Sequence, residues 1–316
     1  MINAIPQLVQ HIGDEMNKVV VGQDELRNQC VTALLCRGHV LLEGVPGIAK
    51  TLTVKALSHL LRLQFQRVQC TSDLMPSDIV GTNVLNMATS QFQLHPGPVF
   101  TDLLLVDEVN RMPPRTQAAL LECMEEHQVT IDGKGYPLSQ FFTVFATQNP
   151  IEFEGTYPLP EAQLDRFLLK LRVPYPAQQD EVRLLANVQN GFESRELEKM
   201  NLAAIDAGLL ERAQQEVKAV TVQEALFTYI VQIVRRTRDW PSLSLGGSPR
   251  AAVSLMAVSK AHAAMDGRDY VIPDDVKAAA RPVLRHRVIL RPEADLEGIT
   301  PDQVLEEVIR AIEVPK

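Results

Sequence analysis

The chain has 316 residues, 46% of them hydrophobic and 22% charged, with a formal net charge of −8. That length suffices for one large core or two moderate ones, and the acidic balance offers no electrostatic footprint for nucleic acid. No apolar run nears the ~20 residues of a membrane span. Met1 to Lys18 carries Asp14 and Glu15 and does not read as a signal peptide, and the dispersed Cys30, Cys36, Cys70 and Cys123 predict reduced thiols, no structural zinc and a cytoplasmic setting.

In chain order, the first informative element is His39-Val40-Leu41-Leu42, a short apolar run that predicts a buried strand. Gly44-Val45-Pro46-Gly47-Ile48-Ala49-Lys50-Thr51 follows it, and the amphipathic pattern of Thr51 to Leu61 predicts a helix. A glycine-containing turn lets the backbone approach closely, so N–H groups and a helix N-terminus can face an anion. Gly44, Pro46, Gly47, Ile48, Ala49, Lys50, Thr51 and Leu52 form the candidate nucleotide cradle. In it Lys50 reaches the outer phosphates and the Thr51 hydroxyl ligates Mg²⁺. The Walker A pattern asks for Gly where this chain has Ala49, a substitution tolerated if that residue is right-handed helical. The alternative is a plain Gly/Pro turn.

Thr82 to His95 alternates at Phe92 and Leu94 and ends at Pro96-Gly97-Pro98, which suggests a hairpin or extended loop. Leu103 to Val106 is a continuous apolar run too short for a helix, and Asp107-Glu108 follows directly. Buried parallel strands read this way, and ligands bind at their carboxyl ends. Asp107 is placed to hold Mg²⁺ through water, and Glu108 to polarise the water that attacks a γ-phosphate; a solvated acidic loop is the alternative. Val129 and Ile131 alternate toward Asp132-Gly133, and Tyr136 and Leu138 return after it, a hairpin with a tight turn. Phe141 to Thr147 predicts a further strand that delivers Asn149, able to donate and accept and so to orient a water; an ordinary Asn-Pro turn is the alternative. Arg166 is a candidate arginine finger, or else a partner of Asp165 or Glu161.

Pro174-Tyr175-Pro176 ends the strand–helix alternation. The fold class is α/β: residues 1–174 read as an αβα core with a parallel sheet, and residues 175–316 as a small all-helical lid. Helices are expected near 178–190, 205–218, 223–238, 249–265, 274–285 and 302–312. Ser248 and Pro249 suit a helix start, with Asp266-Gly267 at its end. Arg250 then lies at the positive end of the helix dipole, where a cation needs an anionic partner; the γ-phosphate fits, and a plain surface arginine is the alternative.

GVPGIAKT, LLLVDEVNRMPPRTQAALLECMEE and FATQNPIEFEGTYPLPEAQLDRF resemble the MoxR family of P-loop AAA+ ATPases along nearly the whole chain. That family commonly carries Ala before the Walker A lysine. The resemblance implies phosphate and Mg²⁺ binding by Lys50 and Thr51, Walker B roles for Asp107 and Glu108, and sensor 1, finger and sensor 2 roles for Asn149, Arg166 and Arg250. It also implies that Val21 and Gly22 border the adenine, and that both hairpins face the pore of a ring, although edge packing remains the alternative for them. The expected function is hydrolysis of ATP to ADP and phosphate in a homo-oligomeric ring, likened to a hexamer, with chaperone-like remodelling of a partner bearing a von Willebrand factor A domain. The rival readings are a chelatase- or DNA-translocase-type motor and a nucleotide-gated scaffold with little turnover.

Overall fold

The computed structural model describes residues 4–150, 155–193, 200 and 202–315; residues 151–154, within the third motif, lie outside it. Helix α1 (Ala4–Met16) buries Ile5, Leu8, Ile12 and Met16, one face at helical spacing. Its first N–H groups donate to the Glu216 carboxylate at 3.0–3.1 Å, an anion at the positive end of the dipole. Helix α2 (Asp24–Leu35) leads into β1 (Val40–Glu43), the turn 44–49 and α3 (Lys50–Leu60). Then come β2 (Phe65–Gln69), α4 (Pro76–Val80), the β3–β4 hairpin (Gly81–Asn86, Gln91–Pro96) and β5 (Leu103–Asp107). After α5 (Pro114–Glu126) follow the β6–β7 hairpin (Gln128–Ile131, Lys134–Pro137), β8 (Thr143–Gln148), the short α6 (Glu161–Leu164) and β9 (Leu169–Arg172).

Five strands pair in parallel in the order β2-β5-β8-β1-β9. Alternate residues face opposite sides: Leu42, Leu103, Leu105 and Phe145 enter one core, while Leu41, Leu104, Val106 and Val144 enter another. This explains the unbroken apolar runs, since a strand covered on both faces has no polar side. His39, just before β1, is buried between the layers. Its Nε2 donates to the Met124 carbonyl and its Nδ1 accepts from the Val144 N–H, both at 3.0 Å.

The C-terminal region contains α7 (Gln178–Gln189), α8 (Ala207–Ala219), α9 (Glu224–Arg238), α10 (Pro249–Met265), α11 (Pro273–Leu284), α12 (Pro292–Leu296) and α13 (Pro301–Arg310). The long helices start and end within about three residues of their expected spans. An antiparallel ribbon, β10 (Leu243–Leu245) with β11 (Ile289–Leu290), joins them, so the lid region is helical with one small sheet element. Strands of two or three residues carry too little alternation to be seen in sequence. Residues from α8, α9, α10, α11 and α13 share one apolar core with α1, α2 and α3.

Candidate active site

The carboxyl ends of β1, β2, β5 and β8 meet at one sheet edge and open onto a cleft of about 1010 Å³. Pro46, Gly47, Ala49, Lys50, Thr51 and Leu52 line it together with Asp107, Glu108 and Asn149. Two glycines of the loop are needed for different reasons. A Cβ on Gly44 would meet Ile48 Cδ1 and the Val173 carbonyl oxygen at 2.8 Å, whereas Gly47 has free space but a φ of +86°. Ile48 is buried beneath the loop.

Ala49 is left-handed, with φ 63° and ψ 16°, not right-handed as its tolerance was expected to require. It therefore carries a strain of roughly 1–2 kcal/mol that glycine would not. That conformation ends the loop and starts α3 at Lys50, with no side chain capping the first N–H groups. Those donors have no intrahelical partner, so the loop is shaped for an anion. The Lys50 ammonium donates to the Gly44 carbonyl, drawing the loop closed. Partial burial lowers its pKa, and Asp107 and Glu108 act in the opposite direction.

Asp107 is buried at the end of β5. Its Oδ1 accepts from the Thr147 hydroxyl at 3.1 Å, and its Oδ2 pairs with Arg67 Nε at 2.6 Å. Glu108 is also left-handed, φ 59° and ψ 51°, and its N–H donates to the Thr147 hydroxyl at 2.9 Å. Non-glycine residues held in that region are over-determined by their surroundings and cluster at functional sites. The Glu108 carboxylate accepts from the Gln69 amide at 3.1 Å and pairs with Arg111 at 2.9 Å. Arg67 and Gln69 belong to none of the quoted motifs, and Thr147, inside the third, has no role assigned by the sequence reading. Their part in the site follows from β2 and β8 flanking β5, a spatial fact. Asn149 is 8% exposed at the end of β8.

Arg166 and Arg250 do not line this cleft. Both pair with Glu125, on the last turn of α5: Arg166 at 2.8 Å and Arg250 at 3.4 Å. The partner of Arg166 is thus neither Asp165 nor Glu161, and the carboxylate beside Arg250 in this chain is that of Glu125. The reason is topological. Residues 165–167 precede β9, at the opposite edge of the sheet from the carboxyl ends, and α10 begins beside them. Ser248 does sit at the N-cap of α10 but makes no capping bond; its hydroxyl donates to Asp165 Oδ2 at 3.1 Å.

Val21 and Gly22 line a separate recess of about 300 Å³ with Asp180 and Arg183. Gly22 has φ +72°, and a Cβ there would meet the Asp180 carboxylate at 2.4 Å. Helix α7 connects the two places: its first turn covers Gly22, while Leu184 and Val188 line the main cleft.

Among the described residues no cluster of three His, Cys, Asp or Glu could hold a metal. The residues do fit Mg²⁺ delivered with phosphates, since that ion keeps most of its waters and takes one or two protein ligands beside phosphate oxygens; Thr51 and Asp107 both line the cleft. No helix of the described residues is long and apolar enough to cross a membrane.

Comparison with known proteins agrees with this geometry. Residues 39–169 match the model of the ATPase family associated with various cellular activities (AAA), and residues 235–308 match the AAA lid domain. Protein YeaC of Bacillus subtilis is 46% identical over 97% of this chain and 93% of its own. Chaperone MoxR1 of Mycobacterium tuberculosis is 40% identical over 96% of this chain and 81% of its own. A crystal structure of a candidate ATPase from Cytophaga hutchinsonii superposes with a TM-score of 0.90 at 41% identity, covering 99% of this chain and 96% of that one. A phosphate-shaped loop, two acids on the adjoining strand, a helical lid and these relatives converge: the chain belongs to the MoxR family of AAA+ ATPases.

Proposed function

We propose that the protein hydrolyses ATP to ADP and phosphate in a homo-oligomeric ring of hexameric type, and uses the resulting movement of lid and hairpins to remodel a partner protein, one with a von Willebrand factor A domain being the family's kind. The division of labour runs at about residue 174, with the phosphates held by the first part and the nucleotide's state reported by the second. The observation that carries the reading is the cleft in which Lys50, Thr51, Asp107, Glu108 and Asn149 come together from a turn and two strand ends.

In this reading Lys50 and the first N–H groups of α3 hold the β- and γ-phosphates, and Leu184, Val188 and Phe192 offer an apolar wall to the base, with Val21 and Gly22 under the start of α7. Thr51, and Asp107 through water, would hold Mg²⁺, which would supply charge neutralisation on the phosphates. Glu108 takes the proton of a water that Asn149 orients, the water oxygen joins the γ-phosphorus, and the bond to the bridging oxygen of ADP breaks. Gln69, Arg111 and the Thr147 hydroxyl fix Glu108 for that task. Arg166 and Arg250, outside their own cleft and 2.8–3.4 Å from one shared carboxylate, serve a neighbouring subunit's γ-phosphate together.

The test separates clamp from base. Lys50→Ala should abolish nucleotide binding, whereas Glu108→Gln should keep binding and stop phosphate release. Equal loss of ATP affinity in both variants contradicts the assignment.

A further inference from the structure

Three polar side chains without a part in the chemistry above converge next to the finger. Asp165 precedes Arg166, and both its carboxylate oxygens are taken: Oδ1 by Arg287 Nε at 2.6 Å, Oδ2 by the Ser248 hydroxyl at 3.1 Å. The two donors come from different parts of the lid. Ser248 is the N-cap residue of α10, which bears Arg250 two residues on in its first turn, and Arg287 lies in the turn after α11. The Arg287 side chain is 2% exposed. Its remaining donors reach the carbonyls of Phe167 at 2.8 Å, Leu168 at 3.2 Å, Asp165 at 3.2 Å and Val283, and the Ser254 hydroxyl at 3.2 Å. One guanidinium thus grips successive carbonyls of the chain that carries Arg166 and a hydroxyl of the helix that carries Arg250.

A buried ion pair is a poor device for stability, because desolvation consumes most of its Coulombic gain and apolar replacements often do as well. What it confers here is geometry. A planar fork with every donor used fixes the distance and angle between residues 165–168 and α10. We propose that Asp165, Ser248 and Arg287 form a positioning clamp that holds Arg166 and Arg250 as one rigid, two-pronged cationic element, so that both prongs reach the neighbouring subunit's site at once. The three are positioning residues. The inference rests on the reading of Arg166 and Arg250 as a pair acting between subunits, and it adds that the lid and the finger loop of one subunit move as one body.

The decisive variant is Asp165→Asn with Arg287→Met, which removes the clamp without stranding a buried charge. Each variant subunit keeps its own Lys50, Asp107 and Glu108, so binding of a fluorescent ATP analogue should stay within about twofold of wild type. Turnover should fall on the order of 10²-fold, as when a charge is misplaced by about 1 Å in an assembled site. Mixing with Glu108→Gln subunits, whose clamp is intact, should recover activity, an effect that a general folding defect cannot produce. Arg166→Ala mixed with Glu108→Gln is the reference. If Arg166→Ala is rescued and the clamp variant is not, or if the clamp variant turns over like wild type, the clamp is wrong and the pair reading stands. If neither is rescued although subunit exchange is demonstrated, the pair reading fails and the clamp with it. Should the double variant not fold, Ser248→Ala removes one hydrogen bond and leaves the ion pair. It should lower kcat with KM unchanged, and an unaltered kcat overturns the proposal.

Discussion

Asp107 faces two cations that cannot both have it. Arg67 holds Oδ2 at 2.6 Å, and the same carboxylate is the acidic ligand proposed for Mg²⁺. Arg67 is half exposed, so it can swing away without opening the core. Removing it by Arg67→Met should free Asp107 and lower the Mg²⁺ concentration that half-saturates nucleotide binding, read by titrating a fluorescent ATP analogue with Mg²⁺. An unchanged or raised half-saturation concentration would show that the arginine does not compete with the ion. Lys50-Thr51 and Asp107-Glu108 are legible in the sequence because each pair is contiguous and follows a strand. Arg67 sits in Phe65-Gln66-Arg67-Val68-Gln69, a segment that names no role until β2 is known to lie beside β5.

His39 makes a second prediction at this scale. Burial lowers its pKa to about 4, below the ordinary 6.5, and the nearby His127 and Arg250 add to the shift. The unfolded chain therefore takes up the proton first as pH falls. The stability tied to neutral His39 is complete above about pH 6.5 and is lost progressively toward pH 4, amounting to about 2 kcal/mol between pH 7 and 5. His39→Gln can accept from the Val144 N–H and donate to the Met124 carbonyl without titrating. Urea unfolding at the two pH values should show a correspondingly smaller loss in this variant. An equal loss in both proteins would remove His39 as the cause.

At the scale of elements, the two hairpins lie outside the lining of the phosphate cleft. Asp132 and Gly133 both have positive φ, 50° and 77°, the two-residue turn that matches the twist of paired strands and that the Asp-Gly dipeptide encodes directly. Asn83 of β3 donates to Asp132 at 2.8 Å, so the hairpins are tied to one another. Tyr136 is partly buried against the second core, with Lys134 5.1 Å over its ring, which gives the β6–β7 hairpin a packing role as well. The β3–β4 hairpin instead exposes Met87 at 83% and Phe92 at 72%. Exposed apolar side chains grouped on one projecting element suit contact with another protein. Met87→Ser with Phe92→Ser should leave the melting temperature and basal phosphate release near wild type, since exposed substitutions usually stay within about 0.5 kcal/mol. Stimulation of turnover by a partner bearing a von Willebrand factor A domain should fall. A large drop in melting temperature together with lost basal turnover would make this hairpin structural.

The helices were legible because their apolar periodicity is long, whereas α12 and the β10–β11 ribbon are too short to show any. The same limit explains Ser248. Its position at a helix start is a local pattern, but the choice of Asp165 over the helix N–H groups depends on a loop 83 residues away.

For the molecule as a whole, the placement of charge points beyond one chain. The phosphate cleft contains Lys50 and Arg67 among its cations, yet Arg166 and Arg250 lie elsewhere, held against Glu125. A site with its base and water-orienting amide in one subunit and its two-pronged cation in the next is incomplete in a monomer. On the proposed ring reading catalysis follows assembly, because arginine fingers contribute about 10³–10⁵ in rate where they act. Steady-state phosphate release per subunit, measured across protein concentration at saturating ATP and Mg²⁺ alongside the oligomeric state, tests this most directly. The composite site predicts a per-subunit rate that is near background where the chain is monomeric and rises to a plateau as rings form, with Arg166→Ala assembling but remaining slow. A per-subunit rate that is already maximal for the monomer and indifferent to concentration would contradict it.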